Sequence, residues 1–161
     1  MTDTVGSVLG RLESALAEAG VSFSLSHHQP VFTSAEAAAA RGTSLHSGAK
    51  ALILKGDDRF VMVVLPADLA LDSKALRKQL GWRGLRFATP EEVRELTGLT
   101  PGSIPPFGSL FGLATFCDPR LGENESINFN AGSHADSIQM IYAAYVGYES
   151  PHMVACSKES S

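Results

Sequence analysis

Apolar residues recur along this chain at two spacings, and each spacing predicts its own kind of element. Val5, Val8, Leu12 and Leu16 follow one face of a helix that Gly20 would end. Short alternating or β-branched apolar runs predict strands, and capping residues mark where further helices begin and end. These further helices are predicted over 33–42, 72–81, 89–98 and 142–149, and the strands over 22–28, 50–54, 59–66, 85–88, 126–132 and 136–142.

Helices and strands follow one another in this order without a regular βαβ rhythm. The pattern therefore predicts a single α+β domain, built around a mixed sheet, over residues 1–150. Residues 151–161 carry no clear periodicity, so they are predicted to form a loosely ordered C-terminal tail.

Composition and charge narrow the class of protein. The 161 residues suit one domain with a hydrophobic core, and the sequence shows neither an apolar run of membrane-helix length nor a secretory signal. Cys117 and Cys156 lie far apart and predict no disulfide framework, so a cytoplasmic location without a membrane partner is expected. The net charge of −4 argues against nucleic-acid binding through a globally basic surface, but not against a local basic patch.

The sequence lacks the common signatures of catalysis. It contains no nucleophile elbow, phosphate-binding glycine loop or dinucleotide fingerprint, and the five histidines have no spacing typical of zinc ligands. No metal or other cofactor is therefore expected. An enzyme of this kind would depend on positioning and on fixed backbone dipoles.

The segment 97–113 is rich in glycine and proline and is also apolar. Pro105 and Pro106 stiffen it, while Gly102 permits unusual backbone angles. We expect that secondary structure cannot absorb every N–H group of this loop, those of Ser103 and Ile104 among them, and rigid free donors suit a developing oxyanion. The alternative is an apolar connector packed on the core.

Three further features are candidates for binding. Lys50 shares a strand face with Leu52 and Leu54, so its ammonium group would enter a cleft, or else reach the surface as an ordinary lysine. A polar turn would form either the lip of a pocket or a plain hairpin; it contains Asn130, Gly132, Ser133 and His134. A basic stretch around Trp82 would meet phosphates or form a solvated helix face; it contains Lys74, Arg77, Lys78, Arg83 and Arg86.

Four segments in order, GAKALILK, RFVMVVLPADLALDSKAL, LRFATPEEVRELTGLTPGSIPPFG and INFNAGSHADSIQM, resemble the YbaK and prolyl-tRNA-synthetase-associated editing-domain family. The resemblance runs from about His46 to Met140. It implies a central mixed, partly barrel-like sheet with flanking helices and a cleft. It also implies a free-standing, trans-acting aminoacyl-tRNA deacylase, with tRNA-Pro carrying a small amino acid as the expected substrate and a synthetase as a transient partner.

The resemblance also implies roles for residues. Lys50 matches the lysine of the family and would hold the aminoacyl end, and Gly102 and Pro106 match its G-x-x-x-P loop. Ser103 and Ile104 of that loop would complete the catalytic wall, and Phe107 and Gly108 would contact the substrate. A module that binds aminoacyl-tRNA or a small amino-acid ligand without hydrolysis is the alternative, and a structural domain with an exposed Lys50 is a third possibility.

Overall fold

The computed structural model describes residues 7–160, which form five α-helices and ten strands. The helices are α1 (Val8–Glu18), α2 (Ser34–Arg41), α3 (Ser73–Leu80), α4 (Pro90–Thr97) and α5 (Tyr142–Glu149). The strands are β1 (Ser24–His27), β2 (Ala49–Gly56), β3 (Arg59–Pro66), β4 (Leu69–Leu71), β5 (Leu85–Phe87), β6 (Ala114–Cys117), β7 (Ser126–Asn130), β8 (Asp136–Ile141), β9 (His152–Met153) and β10 (Ser157–Glu159).

The predicted helices form where their capping residues place them. Thr33 and Thr89 each cap a helix through a complete capping box with the glutamate three residues later. The first helix is also present, although Val5 lies outside the described residues. None of the helices in the described part of the chain is both long and apolar enough to cross a bilayer.

The strands form three sheets rather than one. The largest has the order β5-β2-β3-β6-β9 and is mixed, since β2 and β3 form an antiparallel hairpin while β6 joins β3 in parallel. The second sheet has the order β1-β8-β7, and the third pairs β10 with β4. The fold is thus the mixed α+β arrangement expected, and the described strands do not close into a barrel.

Both faces of the large sheet are buried at its central strands, β2 and β3. Alternate residues of β2 and β3 enter two separate apolar clusters, with Ile53 and Met62 in one and Leu54 and Val63 in the other. Lys50 has the parity of Leu54, so it emerges on the face covered by α3 and β4.

The prediction of a loosely ordered tail is wrong for residues 151–160. In this segment β9 pairs with β6, β10 pairs with β4, and Val154 and Cys156 are buried. The anchor is Asp118, a buried carboxylate that accepts hydrogen bonds from the N–H groups of Cys156 and Ser157, both at 2.7 Å. These contacts join positions about forty residues apart, so no local pattern announces them.

We expect Asp118→Asn to lower the free energy of unfolding by about 2–4 kcal/mol. The neutral amide oxygen accepts hydrogen bonds more weakly than a carboxylate oxygen, and the amide nitrogen, itself a donor, would face backbone N–H groups. Chemical denaturation would measure this. Asp58→Asn, an exposed change in the β2–β3 turn, is the control. Equal stability of the two variants would show that the carboxylate does not anchor the tail.

Candidate active site

A cavity of about 200 Å³ lies where the start of β2 meets α2 and the glycine- and proline-rich loop. Its wall combines apolar side chains, chiefly alanine, valine and leucine, with polar and charged ones. Six residues give it chemical character: Arg41, Lys50, Gly102, Ile104, Asn130 and His134. Four of the elements singled out in the sequence therefore contribute, namely Lys50, the loop at 102–104, Asn130 and His134.

Lys50 is half-buried at the start of β2, and its ammonium group donates a hydrogen bond to the carbonyl oxygen of Leu69. An ammonium group has three donors, and the described residues provide a partner for one of them. Burial lowers the pKa of Lys50, and the carboxylate of Asp68 partly offsets this effect. Nδ1 of His46 lies 2.8 Å from that carboxylate, and Nε2 of the same ring lies 2.9 Å from the carboxylate of Glu123. Hydrogen bonds to the two acids raise the pKa of His46.

The cavity face of the loop is formed by Gly102 and Ile104. Gly102 adopts φ +89°, a conformation that favours glycine, and its carbonyl accepts a hydrogen bond from Asn130 at 2.7 Å. Among the described residues, no group accepts the N–H of Ile104. The expectation of a free Ser103 donor is wrong, because both its N–H and its hydroxyl donate to the Thr100 carbonyl, at 3.2 and 2.8 Å.

The remainder of the predicted wall packs into the core instead of lining the cavity. Phe107 is fully buried and meets Phe129 and Tyr145 edge to face, while the Pro106 carbonyl accepts the Tyr145 hydroxyl at 2.7 Å. The N–H of Gly108 donates to the Thr115 hydroxyl at 2.9 Å. We therefore expect Pro106, Phe107 and Gly108 to hold the loop in place rather than to touch a ligand.

The polar turn contributes two of its four candidates to the wall. Asn130 and His134 line the cavity, and the His134 ring lies 4.8 Å from that of Phe32, which is 73% exposed. Gly132 adopts φ +99° and its N–H donates to the Ser103 carbonyl, which ties the turn to the loop. Ser133 instead bonds Asp136 at 2.7 Å and stabilises the turn itself.

Arg41 is the cavity residue that the sequence analysis missed. It ends α2, where a basic side chain is already explained by the helix dipole. In the folded chain its Nε donates to the Ser137 hydroxyl at 2.8 Å and its Nη2 to Asn130 Oδ1 at 2.9 Å. Burial lowers the pKa of Arg41 to about 10. Only the packing of α2 against β7 and β8 brings it to the site.

The predicted basic patch lies on the far side of the large sheet from α1. Lys74, Arg77 and Lys78 are exposed on α3, and Arg83 follows in the next turn. Trp82 is half-buried over Gly56 and meets Phe116 edge to face, so most of its ring packs within the protein. Across residues 7–160, no three His, Cys, Asp or Glu side chains converge as a metal site.

Comparison with known proteins identifies the family. Residues 28–148 match the aminoacyl-tRNA editing domain. The chain is 36% identical over 149 residues to the multifunctional Ser/Thr-tRNA deacylase ProXp-y of Escherichia coli, covering 89% of each protein. It is 31% identical over 111 residues to proline–tRNA ligase of Trichlorobacter lovleyi, covering 63% of this chain and 19% of that ligase.

A solved structure shows the same fold. The crystal structure of a candidate trans-editing enzyme for prolyl tRNA synthetase superposes with a TM-score of 0.81 at 23% identity, covering 98% of this chain and 99% of that one. The chain therefore belongs to the aminoacyl-tRNA editing domain family.

Proposed function

We propose that this protein is a trans-acting deacylase that hydrolyses the ester bond between a small amino acid and the 3′ end of a mischarged tRNA. The observation that carries the proposal is that one cavity collects Lys50, the loop at 102–104 and His134 within a chain of the editing-domain family. The relative from Escherichia coli, named as a tRNA deacylase, supports hydrolysis rather than binding alone.

Hydrolysis of an aminoacyl ester requires no covalent catalyst. Water attacks the ester carbonyl carbon, the carbonyl oxygen becomes an oxyanion, and the bond to the ribose oxygen breaks as that oxygen takes a proton. The products are the free amino acid and the uncharged tRNA. Fixed N–H donors and a nearby cation stabilise the oxyanion, since charge develops there in the transition state.

Contacts on the cavity wall support an assignment of these parts to residues. Ile104 lines the cavity, its N–H has no partner among the described residues, and the loop that carries it is stiffened by Pro105 and Pro106. The ammonium group of Lys50 keeps two donors beyond its bond to Leu69. We infer that Lys50 holds the aminoacyl end while the loop binds the carbonyl oxygen, and that Gly102 lets the backbone approach closely.

The small cavity provides a physical reason for editing. A synthetase distinguishes side chains that differ by one methylene by only about 10–200-fold, so small amino acids are attached in error. A second site that hydrolyses whatever fits it adds discrimination. We propose tRNA-Pro carrying alanine or cysteine as the first substrates, and tRNAs mischarged with serine, threonine or related small residues as the second group. A transient contact with the synthetase would deliver the mischarged tRNA.

The test is a deacylation screen of the purified protein under multiple turnover. We expect release of amino acid from at least one of these misacylated tRNAs and no release from correctly charged prolyl-tRNA. Binding of aminoacyl-tRNA without release would contradict hydrolysis and favour the alternative of a binding module. Neither binding nor release would contradict both.

The basic residues of α3 are proposed to bind the tRNA backbone. Replacing Lys74, Arg77 and Lys78 together by alanine should weaken tRNA binding and make the slope of log affinity against log salt shallower by about 2–3, because each neutralised phosphate contributes about 0.7–0.9. Binding titrations over a range of salt concentrations would measure this.

The matched control replaces three exposed arginines elsewhere by alanine, namely Arg11 of α1, Arg59 of β3 and Arg94 of α4. Its salt slope should stay close to that of the unmodified protein. Identical slopes for the unmodified protein, the control and the triple variant would place the tRNA elsewhere on the surface.

A further inference from the structure

Arg41 carries a positive charge on the cavity wall without a negative partner. Its two neighbours, Ser137 and Asn130, are neutral, and no carboxylate within residues 7–160 lies within ion-pair distance of it. The lining residues of the cavity include two cations, Arg41 and Lys50, and no Asp or Glu. A desolvated charge is costly unless something compensates for it, so this arrangement indicates an anionic ligand.

The guanidinium plane is fixed before any ligand arrives. Nδ1 of His28 faces the Gln29 carbonyl at 2.8 Å, so in the neutral ring it carries the proton and Nε2 accepts the Ser137 hydroxyl proton at 2.8 Å. Ser137 is then left to accept from Arg41 Nε. On the other side Asn130 must accept from Arg41 through Oδ1, which turns its amide nitrogen toward the Gly102 carbonyl.

This network leaves Arg41 with unused donors. A guanidinium group has five N–H bonds, and two of them are engaged, one on Nε and one on Nη2. Both N–H bonds of Nη1 remain without a partner among the described residues. Nη1 lies near Gly48, another residue of the wall, only 3.8 Å from where a Cβ atom at that position would stand. Within residues 7–160 the second N–H of Nη2 is unused as well, and one N–H of Nη1 beside one of Nη2 forms the fork that matches two phosphate oxygens.

We propose that Arg41 binds the phosphate group that joins the terminal nucleotide to the rest of the tRNA. The inference rests on the proposed function, because the substrate identifies the anion. The scissile ester is neutral before reaction and the amino acid carries a cationic α-amino group, so neither compensates for Arg41 in the bound ground state. The phosphodiester of the terminal nucleotide is the anion that every aminoacyl-tRNA carries near its aminoacyl end.

The role predicts a split between two substrates. Arg41→Gln should lower kcat/KM for the misacylated tRNA by about 10- to 100-fold, the scale of one charge-assisted hydrogen-bonded pair, and mainly through KM. On 3′-aminoacyl-adenosine, which carries the ester but no phosphate, the same variant should lose clearly less, by about threefold at most, because only the hydrogen bonds of Arg41 to Ser137 and Asn130 are then lost. Arg41→Lys keeps the charge but not the guanidinium fork, so its kcat/KM on the tRNA should lie between those of Arg41→Gln and the unmodified protein. Arg94→Gln should have the kcat/KM of the unmodified protein.

A binding measurement separates this inference from the proposed function, because it does not require turnover. The unmodified protein should bind adenosine 5′-monophosphate more tightly than adenosine, and Arg41→Gln should abolish the difference while its melting temperature shows that it is folded. Equal binding of adenosine 5′-monophosphate and adenosine by the unmodified protein would overturn the phosphate assignment. Equal kinetic losses of Arg41→Gln on the tRNA and on the phosphate-free ester would overturn it as well, since Arg41 would then act on the ester or only on the cavity wall.

Discussion

Replacement of Lys50 by alanine should reduce kcat/KM for the mischarged tRNA by about 100-fold or more. The reason is that the change removes a half-buried ammonium group from the cavity wall, where two of its donors have no partner among the described residues, and one charged hydrogen bond contributes about 1.5–3 kcal/mol. The fold should survive, because Lys50 is the second residue of β2 and alanine already occupies both neighbouring positions.

Two further variants separate charge from packing. Lys50→Met keeps the aliphatic stem and removes the charge, so it should lose as much activity as the alanine variant. Lys55→Met makes the same change in the same strand, where the ammonium group lies 5.3 Å from the centre of the Phe60 ring, and should retain normal activity. Steady-state deacylation kinetics would show the contrast. Near-normal turnover by folded Lys50→Met would exclude a catalytic role for this lysine.

The elements that were predictable are those whose signals are local. The capping boxes that begin at Thr33 and Thr89 lie within four residues, so the helices they start follow from the sequence. The β2–β3 hairpin follows from two apolar runs joined by a short polar turn. By contrast, β6 was not predicted, because its four residues are defined by parallel pairing with β3 about fifty positions away.

The same distinction applies to the site. Lys50 and Gly102 stand out in the sequence because a lysine in an apolar strand and a glycine among prolines each conflict with their surroundings. Arg41 does not stand out, since a basic residue in the last turn of a helix is ordinary. Its partners Asn130 and Ser137 lie some ninety positions away, and only tertiary packing brings them together. For Phe107, an apolar side chain in an apolar loop fits a pocket wall and a core equally well, and the structure places it in the core.

The loop should be the most sensitive part of the site to backbone change. Gly102 has φ +89°, and an added Cβ atom would stand 3.4 Å from the His134 ring. Gly102→Val would therefore strain the backbone and crowd the cavity, and the resulting shift would move the Ile104 donor and the carbonyl that Asn130 holds. Because displacements of about 1 Å cost about 100-fold in rate, we expect hydrolysis to fall by at least that factor.

Ser103→Ala should behave differently from Gly102→Val. It removes a hydroxyl that donates to the Thr100 carbonyl but keeps the N–H that donates to the same oxygen, so activity should change by less than about threefold. Gly112→Val controls for strain, since Gly112 also has a positive φ, +70°, but lies outside the cavity with open space at its Cβ position. Its loss of stability should resemble that of Gly102→Val while its kcat/KM stays normal. If folded Ser103→Ala were inactive and Gly102→Val active, catalysis would depend on the serine hydroxyl, and the backbone mechanism would be wrong.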